Sequence, residues 1–150
     1  MSVMSRQLRF SDVAVGDAVP EVAFALPLYR LVVAAGGNRD FNSIHHNREF
    51  ARSTGASDAY ASSFFLLGTW ERVVRDYIGD AGTIRSITGF RMRRFTMVGH
   101  MLVVGGAVVE ARVEDGVGVL ELELAGRVDG EITVGPGRVV VTVPLAEVTP

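Results

Sequence analysis

The order of apolar and polar residues divides the chain into a front half of mixed periodicity and a back half that alternates with a period of two. Between residues 10 and 27, a turn signal at Val15-Gly16-Asp17 precedes Val22, Phe24 and Leu26, which alternate with Ala23 and Ala25. This predicts a strand stopped by Pro27. Leu28, Leu31, Val32 and Ala35 then share one helical face and Gly36-Gly37 supplies a stop, so a short helix is expected over 28–35. Residues 38–47 are too rich in Asn, Asp, Ser and His for a core strand and read as a loop. Asn47 suits the cap of a short helix over 48–54, with Glu49 near its positive end and Gly55 closing it.

The longest helical pattern covers 57–79. Phe64, Leu67, Glu71, Val74 and Ile78 follow one stripe, and Phe65, Trp70, Val73 and Tyr77 widen it, so this helix is expected inside a core. From Gly82 onward, 83–95, 101–114, 117–128 and 132–143 are Val-rich and alternating. Gly-bearing turns at Val98-Gly99-His100, Asp115-Gly116 and Asp129-Gly130 separate them, which predicts an antiparallel meander of four strands. The whole reads as an α+β arrangement in which a curved antiparallel sheet wraps a long central helix. No repeat or linker divides the chain, so one domain over 1–150 is expected, with about the first ten residues as a flexible tail.

Composition narrows the function classes. The chain has 150 residues, 48% hydrophobic and 21% charged, enough apolar surface to build a core and too much for disorder. All 15 basic residues are Arg, and against 17 acidic residues they leave a formal charge of −2, which removes the general attraction for nucleic acid. With no Cys, disulfides, thiolate catalysis and Cys-ligated metals are excluded. The first residues lack a signal-peptide apolar region, and no apolar run approaches the roughly 18–20 residues of a membrane span. Neither nucleic acid nor membrane is expected as a partner, and the expected location is cytoplasmic.

The densest acid–base chemistry lies in Asp40-Phe41-Asn42-Ser43-Ile44-His45. A carboxylate and an imidazole five residues apart can exchange protons with water and a substrate carbon near neutral pH, which suits reversible addition of water. The alternative from spacing alone is an Asx-turn at Asp40 and Asn42 with His45 as an ordinary loop residue. Among the other His, His46 is expected to point away from His45, and His100 to face solvent in its turn. Trp70, Phe64 and Phe65 are core candidates, with Phe64 near enough to the helix start to line an acyl tunnel. Arg91 and Arg93 are expected on one strand face, with Arg94 at its end. They suit either phosphate recognition through their donor forks or a solvated sheet face.

Asp40, Asn42, Ile44 and His45 resemble the D-x-N-[PS]-[IL]-H segment of the MaoC-like dehydratases, or R-specific enoyl-CoA hydratases, which have the hotdog fold. Ala51, six residues after the His, and the turn at Val15-Gly16-Asp17 extend the resemblance, and the order of elements matches over nearly the whole chain. Three positions depart from the family pattern. Asn38-Arg39 stands where Ser-Gly is usual, Ser43 where Pro is usual, and Ser62-Ser63 where His-Gly is usual. Arg39-Asp40 through His45-His46, with Tyr60-Ala61-Ser62-Ser63, looks more like the branch of paired MaoC-like chains in steroid or fatty-acyl-CoA degradation.

The resemblance implies an enoyl-CoA hydratase or 3-hydroxyacyl-CoA dehydratase. In it Asp40 and His45 hold a water between them, Asn42 orients the pair, and the Ser63 backbone N–H polarises the thioester oxygen. Ser62, Phe64, Arg91, Arg93 and Arg94 are the implied substrate contacts. No metal or other cofactor is implied beyond the coenzyme A of the substrate, because conjugation already makes the β-carbon electrophilic. Implied partners are an acyl-CoA thioester and either a second copy or another MaoC-like chain. Two other readings are a non-catalytic or half-catalytic partner subunit, and a hotdog thioesterase. The latter would call on Glu71 or Asp76, the carboxylates deep in the central helix.

Overall fold

The computed structural model describes residues 6–146. The alternation of β4 (Val117–Val128) explains the architecture. Leu120, Leu122 and Leu124 are buried on one face, while Glu121 and Glu123 point to the other and pair with Arg138 of β5 (Glu131–Val143). On β4's other side lies β3 (Met101–Glu114), whose Leu102, Val104 and Val108 join the same apolar face. Asp115-Gly116 and Asp129-Gly130 make the two hairpins. All four residues have positive φ, as expected of such Asp-Gly turns.

β1 (Ala18–Ala25) pairs with β3, and β2 (Thr83–Thr88) pairs with β5, giving a five-stranded antiparallel sheet in the order β1-β3-β4-β5-β2. Across it lies α3 (Ser63–Ile78), packed against β1, β3 and β5, with Leu66, Trp70, Val73, Val74 and Ile78 sealed in the core. This is the α+β hotdog arrangement. α1 (Leu28–Gly37) lies beside α3 and the short α2 (Arg48–Ser53) beside the loop that precedes it. Among the described residues no helix is long and apolar enough to cross a membrane.

The structure differs from the sequence reading at several points. Only β3, β4 and β5 form a meander, because β2 crosses to the far edge of the sheet and pairs with the last strand. The expected strand 83–95 stops at Thr88. The ladder with β5 runs to Thr88↔Arg138, just short of Pro136, which has no N–H to continue it. Beyond Gly89, residues 91–95 are exposed and irregular, held to β5 by the Met92↔Val134 bridge and by Arg93 and Arg94 N–H groups donating to Thr133 O.

The long helix begins at Ser63 rather than at 57. Residues 59–61 are instead tied to 96–98, through Ala61 N–H to Thr96 O, Val98 N–H to Ala59 O and a Tyr60↔Met97 bridge. Its buried stripe runs through Leu66, Thr69, Trp70, Val73 and Val74, so Phe64 and Glu71 face outward. α1 runs through Gly36 and Gly37 instead of stopping before them.

Residues 1–5 of the expected flexible tail lie outside the described residues, but 6–10 are docked. Gln7 Nε2 donates to Ile78 O (2.7 Å) and Leu8 O (2.9 Å), and Gln7 Oε1 accepts from Ala81 N (2.8 Å), so one amide closes the C-terminal end of α3. Phe10 lies so close to Gly118 that a Cβ there would sit 2.5 Å from its ring, and Phe10 N–H donates to Pro144 O (2.9 Å).

Gln7→Ala strands a helix-end carbonyl and a turn N–H. It is expected to lower the unfolding free energy by about 1–3 kcal/mol, measured by urea titration, with no change in the fold by circular dichroism.

Candidate active site

The loop that holds the acid–base residues is launched by the end of α1. Asp40 N–H donates to Ala35 O (2.8 Å) and Arg39 N–H to Gly36 O (3.0 Å), the paired bonds of a Schellman closure. The closure requires its penultimate residue to be left-handed, and Arg39 has φ 56°. This is the position where the family pattern carries Gly. Arg39 therefore accepts backbone strain to send Asp40 out at a fixed angle.

Two Asx bonds shape the next residues. Asp40 Oδ1 accepts a long bond from Asn42 N (3.4 Å), and Asn42 Oδ1 accepts from Ile44 N (3.2 Å) at the head of a three-residue 3₁₀ turn, Ser43–His45. The side chain of Asn42 thus caps the turn that carries His45, and reaches the pair only through the backbone. Asn47 caps α2 in the same way, accepting from Phe50 N (3.0 Å).

His45 is buried, at 4% exposure, and both ring nitrogens are bonded. Nδ1 lies 2.7 Å from Tyr60 O and Nε2 lies 3.0 Å from Asp40 Oδ2. A carbonyl oxygen only accepts, so Nδ1 carries a proton and donates to Tyr60. The Nε2–Oδ2 contact then needs a proton of its own, held by the imidazolium or by the carboxylic acid. At 3.0 Å there is no space for a water between these two atoms, so any water used by the pair has to stand beside it, not between its members as expected. Asp40 keeps about a quarter of its side chain exposed, which leaves it open to such a water. The Asx turns are present, and they bring the Asp40 carboxylate and the His45 ring into contact.

Tyr60 is the residue that sequence reasoning missed. Its N–H donates to Ile44 O (3.2 Å) while its carbonyl accepts from His45, so the backbone of one residue grips two successive residues of the 3₁₀ turn. Its ring stands edge-on to His45 (6.0 Å between centroids) and tilts against Phe95 (4.6 Å). No residue-type signal marks a position that acts through its backbone.

Three residues further on, Ser62 is buried and caps α3, its Oγ accepting from Phe65 N (3.2 Å). Ser63 is the first helical residue, and among the described residues no acceptor is found for the N–H of Ser63 or of Phe64, which leaves two donors at the positive helix end. Asp40, His45 and Ser62-Ser63 are thus joined within a short span of chain through Tyr60.

Two grooves flank this centre. One, of about 600 Å³, is lined by Ile44, Tyr60, Ala61, Met92, Arg93, Arg94, Phe95 and Thr96. The other, of about 640 Å³, runs between α1 and α3 past Asn38 and Phe64. Of the sequence candidates, Arg93 and Arg94 reach the first groove, where Arg93 donates from Nε to Gly135 O and Arg94 pairs with Glu131. Arg91 is exposed outside that lining, and with β2 ended at Thr88 it shares no strand face with Arg93. Glu71 and Asp76 are exposed and pair with Arg75 and Arg72. His46 is exposed, whereas His100, expected to face solvent, is half-buried and accepts from Met97 N (3.1 Å). Among the described residues no three His, Asp or Glu side chains are placed to hold a metal ion.

Arg39→Gly removes the left-handed strain without touching the pair. It is expected to raise stability by about 1 kcal/mol, read as a higher melting temperature, with the Asp40–His45 bond retained.

No family model matches the chain. The 3-oxo-4,17-pregnadiene-20-carboxyl-CoA hydratase beta subunit of Mycobacterium tuberculosis (strain ATCC 25618 / H37Rv) is 32% identical over 78 residues, which span 52% of this chain and 60% of that protein. The crystal structure of the ChsH1-ChsH2 complex from Mycobacterium tuberculosis contains a chain that superposes with a TM-score of 0.78 at 26% identity, covering 87% of this chain and 98% of that one. R-hydratase PhaJ1 from Pseudomonas aeruginosa shares the fold, with a TM-score of 0.78 at 18% identity over 96% of this chain and 95% of its own. These likenesses give the chain the hotdog fold, shared with the MaoC-like dehydratase and R-hydratase structures it superposes on.

Proposed function

We propose that the chain adds water to a 2-enoyl-CoA thioester to give the 3-hydroxyacyl-CoA, or runs the same reaction in reverse. The observation that carries this reading is the 3.0 Å Asp40–His45 contact, with the Nδ1 side of the ring held by the Tyr60 carbonyl. In hydration, Asp40 as carboxylate takes a proton from the water whose oxygen bonds to the β-carbon. His45, protonated on Nε2, gives that proton to the α-carbon on the same face. Asp40 is then the acid and Nε2 is bare, and transfer of one proton across their 3.0 Å contact restores the starting state. The negative charge that develops on the thioester oxygen falls to the free N–H of Ser63 at the start of α3.

The groove with Arg93 and Arg94 suits the coenzyme A side of the substrate, since guanidinium forks recognise phosphate, and Tyr60, Met92 and Phe95 give its stem an apolar wall. Assembly with a second copy or with another MaoC-like chain follows from unsatisfied surface. β1 and β2 leave open sheet edges, and Tyr29 and Val33 on α1 are 68% and 70% exposed. The ChsH1-ChsH2 complex is a neighbour of that kind. Light scattering at micromolar concentration is expected to show an oligomer, alone or with such a partner, and a monomer under both conditions would contradict it.

The direct test is to incubate the purified chain with a panel of 2-enoyl-CoA esters and follow loss of the conjugated-enoyl absorbance. Asp40→Asn and His45→Ala are each expected to lose about 100- to 10,000-fold in rate while keeping the fold, because the pair sits in a capped loop outside the main core. Turnover by the wild-type chain alone would also remove the inert-subunit reading.

Ser63 separates backbone from side chain. Ser63→Gly keeps the N–H and is expected to keep activity. Ser63→Pro deletes the N–H at the first helical position, where Pro is tolerated, and Ser62 already has the extended ψ of 154° that a following Pro requires. A loss of about 100- to 1,000-fold in the Pro variant, with normal circular dichroism, is the expected result.

A further inference from the structure

We propose that His100 is a positioning residue for the acid–base pair: its ring holds the backbone of Met97, and through Met97 and Tyr60 it sets where His45 stands. This rests on the reading of the chain as a hydratase, in which the placement of His45 governs the rate.

The four residues form one row across two chain segments. Tyr60 and Met97 face each other as an isolated antiparallel bridge, joined not by their own polar groups but by those of their neighbours, Ala61 N–H to Thr96 O (2.8 Å) and Val98 N–H to Ala59 O (2.9 Å). In such a pair the N–H and C=O of the two facing residues point outward, away from each other. Those of Tyr60 meet the 3₁₀ turn, where the carbonyl accepts from His45 Nδ1 (2.7 Å). Those of Met97 meet His100. The Met97 carbonyl accepts from His100 N–H (3.1 Å), and the Met97 N–H donates to His100 Nδ1 (3.1 Å). The row thus ends on an imidazole at each side, one donating from Nδ1 and the other accepting there.

The backbone of His100 is fixed independently of its ring. Leu26, buried just past the end of β1, accepts from Gly99 N–H (2.9 Å) and donates to His100 O (3.1 Å), so the ring projects from an anchored turn. Among the described residues no other acceptor is found for the Met97 N–H, and Met97 is half-buried. Without the ring, residues 96–98 have to shift to satisfy that donor. A shift there moves the bonds to Ala59 and Ala61, and with them the Tyr60 carbonyl that holds His45. An imidazole that accepts at Nδ1 is neutral and carries its proton on Nε2. The ring borders a groove of about 320 Å³ that Asp129, Glu131 and Arg94 also line, with Arg94 paired to Glu131, and carboxylates there suit an Nε2–H donor.

The first arm of the test uses the wild-type protein, isotopically labelled on its histidine ring nitrogens. Above neutral pH, nuclear magnetic resonance is expected to show His45 protonated at Nδ1 and His100 at Nε2, and a proton on His100 Nδ1 overturns the proposal. The second arm compares His100→Leu, which removes the acceptor at similar bulk, with His100→Asn, whose side-chain oxygen restores one. His100→Leu is expected to lower kcat about 10- to 100-fold with KM changed less than about threefold, and to speed exchange of the His45 Nδ1 proton with solvent. His100→Asn is expected to match wild type in both. Equal loss in the two variants overturns the proposal, since the ring's bulk would then matter and not its acceptor. A lower melting temperature in His100→Leu with kcat and the His45 proton unchanged also overturns it, as the mark of a purely structural role. Where His100→Leu does not fold, the wild-type tautomers decide. Absence of wild-type turnover on any enoyl-CoA rejects the hydratase reading instead, and exchange of the His45 proton then decides the link between the two rings by itself.

Discussion

The two peptide groups that flank the Tyr60 Cα hold the candidate site together. The N–H and C=O of Tyr60 bind Ile44 and His45 at once, and this double bond to one turn dictates where the imidazole stands and which nitrogen bears its fixed proton. Tyr60 is held in turn by its neighbours. Ala59 and Ala61 are bonded to Val98 and Thr96, and the buried Thr96 hydroxyl reaches Thr133 of β5 (3.3 Å). The site is thus fastened to the middle of the sheet by a short ladder of backbone bonds. A loop with polar side chains and no apolar face has few other ways to become rigid.

What could be read in the sequence followed how local each interaction is. The Asp115-Gly116 and Asp129-Gly130 hairpins were legible because type I′ turns demand residues that accept positive φ. The pairing of β2 with β5 was not, since edge selection is decided by contacts across some fifty residues of chain. One local sign existed, Pro136, which breaks the ladder where the expected strand ended early. Helix α3 was legible in its existence but not in its orientation. Aromatic Phe64 and Phe65 suggested an interior start, yet the helix turns Phe64 outward because Leu66, Trp70 and Val73 fill the sheet face.

The residues of the candidate site were legible to different degrees. Asp40 and His45 stood out because their chemistry is carried by side-chain type in a chain with three His and no Cys. Tyr60 did not, because every residue has a carbonyl. Arg39 lies between these cases. It was visible as a departure from the usual Gly, and only the backbone angle reveals that the departure is one of conformation rather than of charge. On the outer sheet face, Arg112 with Glu110 and Glu114, and Arg138 with Glu121 and Glu123, form exposed pairs worth little individually. They keep that face wet, whereas Tyr29, Val33 and Phe64 on the helices are large exposed apolar side chains.

The crossing of β2 to the partner side of β5 bears on how the molecule comes into being. β2 is made some forty residues before the strand it pairs with, and Phe10, near the front of the chain, is bonded to Pro144. A nascent chain emerging from the ribosome can close the β3-β4 hairpin early, but α3 has no complete sheet to lie on until residues 131–143 are free. The apolar stripe of α3 therefore stays uncovered until β5 has been made, and the fold closes only after it.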